Sequence, residues 1–227
     1  MKKNAKLIVH TGSMFSGKTT SLWRELYRMK IAGYKTVAFK PSVDSRHEDE
    51  KIVSHDNLEL DAIKINSIKD IFEYSKNNQI DAIGIDEVQF FPDDPSEIVD
   101  YFIKLMNSHI TIVVSGLDMD YKARPFEIVK ELMPIADELI KHHAICASCG
   151  EDAWVSFRKS YNEDRIEIGA QDSYQPLCRS CYNRKMKERE KTKNQISIDQ
   201  IQLLFLSSFG LLKSIQILML RISYEKN

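Results

Sequence analysis

The stretch LIVHTGSMFSGKTT at residues 7–20 constrains the fold and chemistry of this chain more than any other. It fits the phosphate-binding loop (P-loop) pattern G-x-x-x-x-G-K-[ST], with a strand-like apolar run before it and a helical pattern after it. Glycine at both ends lets the backbone bend tightly around an anion, because a Cβ atom would clash there. The loop amides and the following helix dipole then favour phosphate. The predicted phosphate-binding residues are Gly12, Ser13, Met14, Phe15, Ser16, Gly17, Lys18 and Thr19.

Short apolar segments alternate with helical patterns over the first 143 residues. This alternation is typical of a parallel sheet that helices cover on both faces. Predicted strands cover 7–11, 35–39, 62–65, 80–85 and 110–115, and predicted helices cover 18–32, 67–77, 95–107 and 125–133. The polar residues 42–57 are predicted to form a mobile loop near the nucleotide. The expected fold class is α/β, with a P-loop (RecA-like) parallel sheet flanked by helices.

Bulk composition narrows the functional classes. The 227 residues, of which 43% are hydrophobic, suffice for one α/β domain with a small appendage. The formal net charge of −1 gives no indication of binding to nucleic acid or to an anionic membrane. The N-terminal apolar run is too short for a secretion signal, so we expect a cytoplasmic enzyme.

A pair of acidic residues follows the strand predicted over 80–85. Ligands gather at the carboxyl ends of strands in open α/β sheets, so Asp86 is expected to hold Mg²⁺ beside Thr19. Glu87 lies one residue further, where a carboxylate can act as a general base towards the oxygen that attacks the γ-phosphate. The attacking oxygen is water in an ATPase and a substrate hydroxyl in a kinase, and the pair alone does not decide between them. A GTPase is disfavoured because the sequence has no Asn-Lys-x-Asp segment.

All four cysteines lie in two C-x-x-C pairs, Cys146/Cys149 and Cys178/Cys181. Four thiolates make a closed structural zinc site with no open position for chemistry. The intervening residues 150–177 exceed the usual ribbon spacing of about 15 to 20 residues, so the metal would hold the base of a longer loop. A redox role for one pair is the weaker alternative, and His142 and His143 are expected to be bystanders. This segment is predicted to be a small zinc-bound lid domain.

The segment between the cysteine pairs, residues 165–174, contains a strand-like piece, then Gly169, then an aromatic residue. From the residues alone, an ordinary hairpin that faces water is favoured over a segment that lies across a bound ligand.

Taken together, these motifs resemble the cellular-type (type II) thymidine kinases. The resemblance runs in order from about residue 5 to residue 190. It rests on GSMFSGKTT (12–20), KPSVDSRH (40–47), IGIDEVQFF (83–91), GLDMDYKARPF (116–126), CASC (146–149) and IGAQDSYQPLCRSCY (168–182). It implies domains at 1–143 (nucleotide binding), 144–190 (lid with a thymidine-binding lasso) and 191–227 (a tail outside the match).

The resemblance implies transfer of the ATP γ-phosphate to the 5′-hydroxyl of thymidine or deoxyuridine. Glu87 falls on the catalytic base, Thr19 and Asp86 on the Mg²⁺ ligands, Met14 near the thymine methyl group, and Tyr121 on the aromatic that stacks on the base. The other substrate-binding positions are Phe90, Arg165, Ile166, Glu167, Ile168, Gly169 and Tyr174. The other ATP-binding positions are Asp44, Arg46 and Gln89. The implied cofactors are ATP, Mg²⁺ and structural Zn²⁺, and the implied assembly is a homotetramer that thymidine triphosphate inhibits.

Two features near the C-terminus fall outside these motifs. The apolar run 201–222 approaches the length of a membrane span, but Lys213 and Arg221 inside it disfavour insertion, so a packed helix or an unselected tail is expected instead. The basic run 179–193 is interrupted by Glu188 and Glu190, which favours a solvated helix over a nucleic-acid patch. The alternative function is a P-loop ATPase with a zinc-ribbon nucleic-acid-binding module.

Overall fold

The computed structural model describes residues 4–43, 51–53, 59–167 and 173–195. The chain divides into two compact units, Met1–Cys181 and Tyr182–Asn227. The first unit contains a central sheet and a smaller second sheet. In the second unit, residues 182–195 are helical. No helix within the described ranges is both long enough and apolar enough to cross a membrane.

The central sheet has seven strands within the described residues, in the spatial order β3-β4-β2-β5-β6-β1-β7. Neighbouring strands are parallel except β3 and β4, which are antiparallel. The strands are β1 (Leu7–Gly12), β2 (Thr36–Pro41), β3 (Lys51–Val53), β4 (Glu59–Ile65), β5 (Ala82–Ile85), β6 (Thr111–Gly116) and β7 (Glu138–His142).

Helices cover both faces of this sheet because alternate residues of the buried strands point to opposite sides. On one face, Ile8 of β1 packs in a cluster with Leu22 and Leu26 of the first helix. On the other face, Leu7 and Val9 belong to a larger cluster built with the other three helices. The helices are α1 (Lys18–Ile31), α2 (Ile68–Asn77), α3 (Pro95–Asn107) and α4 (Glu127–Leu132). The predicted parallel sheet flanked by helices is confirmed.

Helix starts follow the local sequence. Ser67 caps α2 in a reciprocal capping box with Asp70, as expected for a serine before an apolar helix. Asp94 caps α3 by accepting a hydrogen bond from the Ser96 amide, and Pro95 occupies the first helical position.

The smaller sheet pairs β8 (Val155–Arg158) with β9 (Tyr174–Leu177) in antiparallel fashion. The cysteine pairs flank this hairpin. Helix 179–195 agrees with the helix predicted for the basic run, and most of its positions beyond residue 182 are exposed.

The structure differs from the predicted elements in several places. Strand β3 lies inside the predicted polar loop 42–57, where it pairs through its backbone at the sheet edge. The short strands β7, β8 and β9 were not predicted as such. The strand-like piece expected from residue 165 is wrong for residues 165–167, which form no strand; the hairpin partner is β9 instead.

Candidate active site

The P-loop follows β1 and wraps towards the start of α1. Gly12 and Gly17 adopt positive φ angles of 135° and 80°, which only residues without a Cβ atom adopt freely. A Cβ atom at Gly12 would lie 2.1 Å from the backbone oxygen of His142, so the end of β7 packs directly against the loop. Lys18 donates from Nζ to the Ser13 carbonyl oxygen over 2.7 Å, which keeps this buried ammonium inside the loop.

Asp86 follows β5 and lies beneath the start of α1. The Thr19 hydroxyl lies 3.3 Å from each oxygen of the Asp86 carboxylate, and the Ser115 hydroxyl at the end of β6 donates to Asp86 Oδ1. A hydroxyl and a carboxylate side by side are the oxygen ligands that Mg²⁺ uses in P-loop proteins. The pair therefore fits the chemistry of the Mg²⁺ site predicted at Thr19 and Asp86. Ser115 was not predicted, although it ends an apolar strand at the edge where ligands gather.

Glu87 diverges from Asp86 because its backbone adopts a left-handed conformation, with φ 51° and ψ 42°. Its carboxylate lines the cavity, where Gln89 Nε2 donates to Glu87 Oε2 over 2.5 Å. Gln89 is itself fixed, since the Leu117 amide donates to its Oε1 over 3.0 Å. Gln89 therefore links the Glu87 carboxylate to the backbone just after β6 through two hydrogen bonds. Its predicted role in ATP binding stays a prediction.

One cavity lies between the P-loop and the β8–β9 hairpin. Its walls come from the strand-end loops, from the β8–β9 hairpin and from residues 165–167 of the segment 161–167, which follows β8. Predicted residues that line it are Met14, Phe15, Ser16, Gly17, Lys18, Thr19, Glu87, Phe90, Tyr121, Arg165, Ile166, Glu167 and Tyr174. The structure therefore brings the predicted phosphate, base and substrate residues to one place.

Aromatic and cationic side chains form the wall of the cavity on the side of the β8–β9 hairpin. Tyr121 is only 5% exposed, and the Arg158 guanidinium lies over its ring at 3.9 Å from the centroid. The Tyr174 hydroxyl donates to the Glu167 carbonyl oxygen over 2.9 Å, which ties β9 to the segment 161–167. A flat aromatic surface of this kind suits stacking against a planar base.

Arg165 links the segment 161–167 to the residues around Tyr121 through ion pairs and a hydrogen bond. Its guanidinium contacts Asp120 at 3.2 Å and Glu127 at 2.8 Å, and donates to the Pro125 carbonyl oxygen at 2.7 Å. The hydrogen bond with Glu127 raises the pKa of Arg165, and the same bond lowers the pKa of the Glu127 carboxyl group. The main chain of the segment is therefore held close to the cavity.

Two residues of β8 enter the site without having been predicted. Ser156 Oγ accepts a hydrogen bond from the Met14 amide over 2.8 Å, which joins the hairpin to the P-loop. Arg158 lines the cavity and is buried. No motif or spacing marks these residues in the sequence, because their partners lie far away along the chain.

The four cysteines converge at the base of the hairpin. Their sulfur atoms all lie within 4.8 Å of one another, and Cys149 Sγ and Cys178 Sγ are 3.6 Å apart. Tetrahedral zinc with Zn–S bonds of 2.3 Å needs sulfur atoms about 3.8 Å apart, so the four thiols fit this ion. Cys146, Cys149, Cys178 and Cys181 could together hold zinc.

The two histidines at the end of β7, His142 within the strand and His143 directly after it, contact groups other than the cysteines. His142 Nε2 lies 3.0 Å from His10 Nδ1, and His143 Nδ1 lies 3.0 Å from the Ala153 carbonyl oxygen.

Comparisons with known proteins agree with this geometry. The family model for thymidine kinase matches residues 5–182. The chain belongs to the thymidine kinase family. A thymidine kinase from Bacteroides thetaiotaomicron is 40% identical over 81% of this chain and 89% of its own length. Those from Bacteroides fragilis (40% identical over 84% of this chain and 94% of theirs) and Porphyromonas gingivalis (37% over 80% and 87%) are similar.

Membership of the thymidine kinase family confirms the resemblance found in the sequence. It also disfavours the alternative of a P-loop ATPase with a nucleic-acid-binding module. The predicted roles of individual site residues stay predictions. Four of these residues, Asp44, Arg46, Ile168 and Gly169, lie outside the described residues, as do residues 196–227 of the predicted tail.

Proposed function

We propose that this protein transfers the γ-phosphate of ATP to the 5′-hydroxyl of thymidine, with deoxyuridine as a second acceptor. The chain's membership of the thymidine kinase family supports this reaction. The observation that carries it is the single cavity in which the P-loop, Glu87 and the aromatic wall around Tyr121 face one another. A phosphate donor and a nucleoside acceptor can meet there.

In the proposed reaction, the 5′-oxygen of thymidine attacks the γ-phosphorus as Glu87 accepts the hydroxyl proton. The bond between the γ-phosphorus and the bridging oxygen breaks, and ADP leaves with that oxygen. Lys18 and the P-loop amides bind the phosphate oxygens and stabilise their charge. Thr19 and Asp86 would hold Mg²⁺, which supplies further neutralisation of the phosphates.

The acceptor must be kept away from competing water, because a P-loop site open to solvent would hydrolyse ATP. Residues 165–167 line the cavity, and the hydrogen bond from Arg165 to Glu127 holds them there, so they suit this sequestering role. We propose that the main chain from Arg165 to Gly169 reads the edge of thymine, that Tyr121 and Phe90 stack or pack on the base, and that Met14 lies near its methyl group.

The remaining assignments follow from the family resemblance. We propose a cytoplasmic homotetramer that thymidine triphosphate inhibits and that binds no nucleic acid. Zinc at the four cysteines would be structural, and the domain boundaries would fall near residues 143 and 190.

The position of transfer can be tested with an acceptor series in the presence of ATP. Thymidine and deoxyuridine should yield 5′-monophosphates by mass spectrometry, whereas deoxyadenosine and deoxyguanosine should not. The matched control is 5′-deoxythymidine, which keeps the base but lacks the attacking oxygen. It should inhibit competitively without supporting ADP formation. ADP production with this analogue at the rate seen with thymidine would overturn the proposed reaction.

A further inference from the structure

Arg158 is a charged side chain in an unusual position. It ends β8, is 1% exposed, and is the largest of the fully buried side chains in the described part of the chain. Burying a guanidinium costs free energy of folding unless its N–H groups are hydrogen-bonded. The groups that accept hydrogen bonds from Arg158 therefore indicate which part of the fold it stabilises.

The donors of Arg158 go to the segment 161–167 and to Tyr174. Nη1 donates to the carbonyl oxygens of Asn162, at 3.2 Å, and Asp164, and Nη2 donates to that of Arg165 at 3.1 Å. Nε and Nη2 also donate to the Tyr174 hydroxyl at 3.0 and 2.8 Å. These contacts engage all five N–H groups that a guanidinium carries.

The carbonyl oxygens that Arg158 binds belong to the segment 161–167, whose last three residues line the cavity. A guanidinium fork fixes such oxygens in a plane, since its donors have a rigid geometry. The Tyr174 hydroxyl extends the network, because it accepts from Arg158 and donates to the Glu167 carbonyl oxygen. One side chain therefore sets the path of the backbone from residue 162 to residue 167.

Arg158 also fixes the aromatic part of the wall. Its guanidinium carbon lies 3.9 Å from the centroid of the Tyr121 ring and 5.4 Å from that of Tyr174. Stacking of this kind is favourable for arginine on an aromatic face. Arg158 therefore contacts both the Tyr121 ring, which is proposed to stack on the base, and the main chain that is proposed to bind the edge of the base.

We propose that Arg158 is a positioning residue for the nucleoside acceptor. It holds the segment 161–167 and the Tyr121 ring at the spacing that a pyrimidine base requires. Because its N–H groups donate to oxygen atoms of the protein, Arg158 acts by positioning those protein groups and not by binding the phosphates of ATP. This inference rests on the proposed function, and it deepens that function by naming what shapes the acceptor side of the cavity.

The test uses the full-length, zinc-loaded protein with Arg158→Gln and Arg158→Lys. The matched control is Arg28→Gln, because Arg28 is an exposed arginine of α1 paired with Glu25. In Arg158→Gln, the KM for thymidine should rise about tenfold or more, as charge-assisted hydrogen bonds to the segment are lost. The KM for ATP should stay within about twofold of the wild-type value, since no donor role towards ATP is removed. Arg158→Lys should also raise the thymidine KM, because an ammonium lacks the planar fork.

Melting temperature and zinc content establish that each variant is folded. A folded Arg158→Gln protein with an unchanged thymidine KM would overturn the proposal. An equal rise in both KM values would overturn it too, because it would place Arg158 at the phosphates.

If Arg158→Gln does not fold, Arg158→Lys and Tyr174→Phe decide the outcome. Tyr174→Phe keeps the ring but removes the shared hydroxyl, so its effect on thymidine KM should be non-additive with that of Arg158→Lys. If the effects of the two substitutions on the thymidine KM were fully additive, Arg158 and Tyr174 would not act through one shared network, and the proposal would be contradicted. Failure of the proposed function is distinguishable, because the wild-type protein itself would then not respond to thymidine.

Discussion

Among single residues, Asp86 and Glu87 are adjacent in the sequence, but their side chains point to different parts of the site. Asp86 lies beside Thr19, whereas Glu87 turns into the cavity through a left-handed conformation. That conformation costs a residue with a Cβ atom about 1 kcal/mol or more. The cost is tolerated where Gln89 holds the Glu87 carboxylate, which is consistent with a general base whose direction matters.

Replacement of Glu87 by Gln should lower kcat by about 10²- to 10⁴-fold, because the amide cannot take the proton from the acceptor hydroxyl. The melting temperature should change little, as Gln occupies the same volume. The matched control is Glu73→Gln, which alters an exposed carboxylate on α2 that pairs with Lys76 at the surface. Steady-state turnover with saturating thymidine and ATP measures the effect. Near-normal turnover in Glu87→Gln would remove Glu87 from the mechanism.

Residues in contiguous motifs could be predicted, and residues joined by tertiary contacts could not. The P-loop, Asp86-Glu87 and the cysteine pairs carry their chemistry in local spacing, and the described members of these motifs lie together in the structure. Ser156 and Arg158 are ordinary residues of a short strand in the sequence. Their importance arises from partners such as Met14 and Tyr121, which the fold brings to them.

At the scale of elements, long buried strands and capped helices were predictable, and short edge strands were not. β1 and β6 are buried throughout and each contains an apolar run of three residues, and the capping box at Ser67 marks α2. β3 has three residues in a charged stretch, and β7 is largely exposed, so neither has a continuous apolar pattern. Such strands depend on backbone pairing with a neighbour, which a sequence pattern does not record.

The pairing of β1 with β7 buries a histidine beneath the P-loop. His10 is 5% exposed, lies 3.0 Å from His142, and its Nε2 has no hydrogen-bond partner among the described residues. Burial and the neighbouring His142 lower the pKa of His10 to about 4, although Glu138 acts in the opposite direction. Burial also lowers the pKa of His142, and the Lys18 charge adds to that effect.

Because the pKa of His10 is lower in the folded protein, the unfolded chain binds a proton first as the pH falls. The stabilising contribution is therefore complete above about pH 6.5 and decreases towards pH 4. We expect the free energy of unfolding to be about 2 kcal/mol lower at pH 5 than at pH 8 through His10 alone.

Chemical denaturation at several pH values measures this dependence, and His10→Leu should reduce its slope between pH 5 and pH 7. The control is His109→Asn, which removes an exposed histidine at a left-handed position that asparagine tolerates. Identical slopes in His10→Leu and the wild-type protein would rule out His10 as the source.

In the molecule as a whole, the β8–β9 hairpin connects the cysteine cluster to the cavity. The β8–β9 hairpin starts at the cysteine cluster and carries Ser156, Arg158 and Tyr174 into the cavity. A bound metal would fix the base of this hairpin and so the position of its tip. The sequence predicted the cluster from cysteine spacing, but the connection to the cavity depends on how the hairpin folds back.

Metal analysis of protein purified without chelators should give about one zinc ion per chain, since four thiolates form a complete structural site. Cys181→Ser should lose the ion, lower the melting temperature and raise the KM for thymidine more than the KM for ATP. Ser180→Ala is the control, because it replaces an exposed residue between Cys178 and Cys181 and leaves all four thiols in place. Less than half a zinc ion per chain in the wild-type protein would contradict the site.

We propose that one cavity brings a bound triphosphate to a nucleoside hydroxyl while it excludes water. The most direct measurement is the rate of ADP formation by the purified full-length protein with and without thymidine. We expect rapid ADP formation with thymidine, matched mole for mole by thymidine 5′-monophosphate, and very little ADP without it. Equal rates of ADP formation in the presence and absence of thymidine would contradict this proposal.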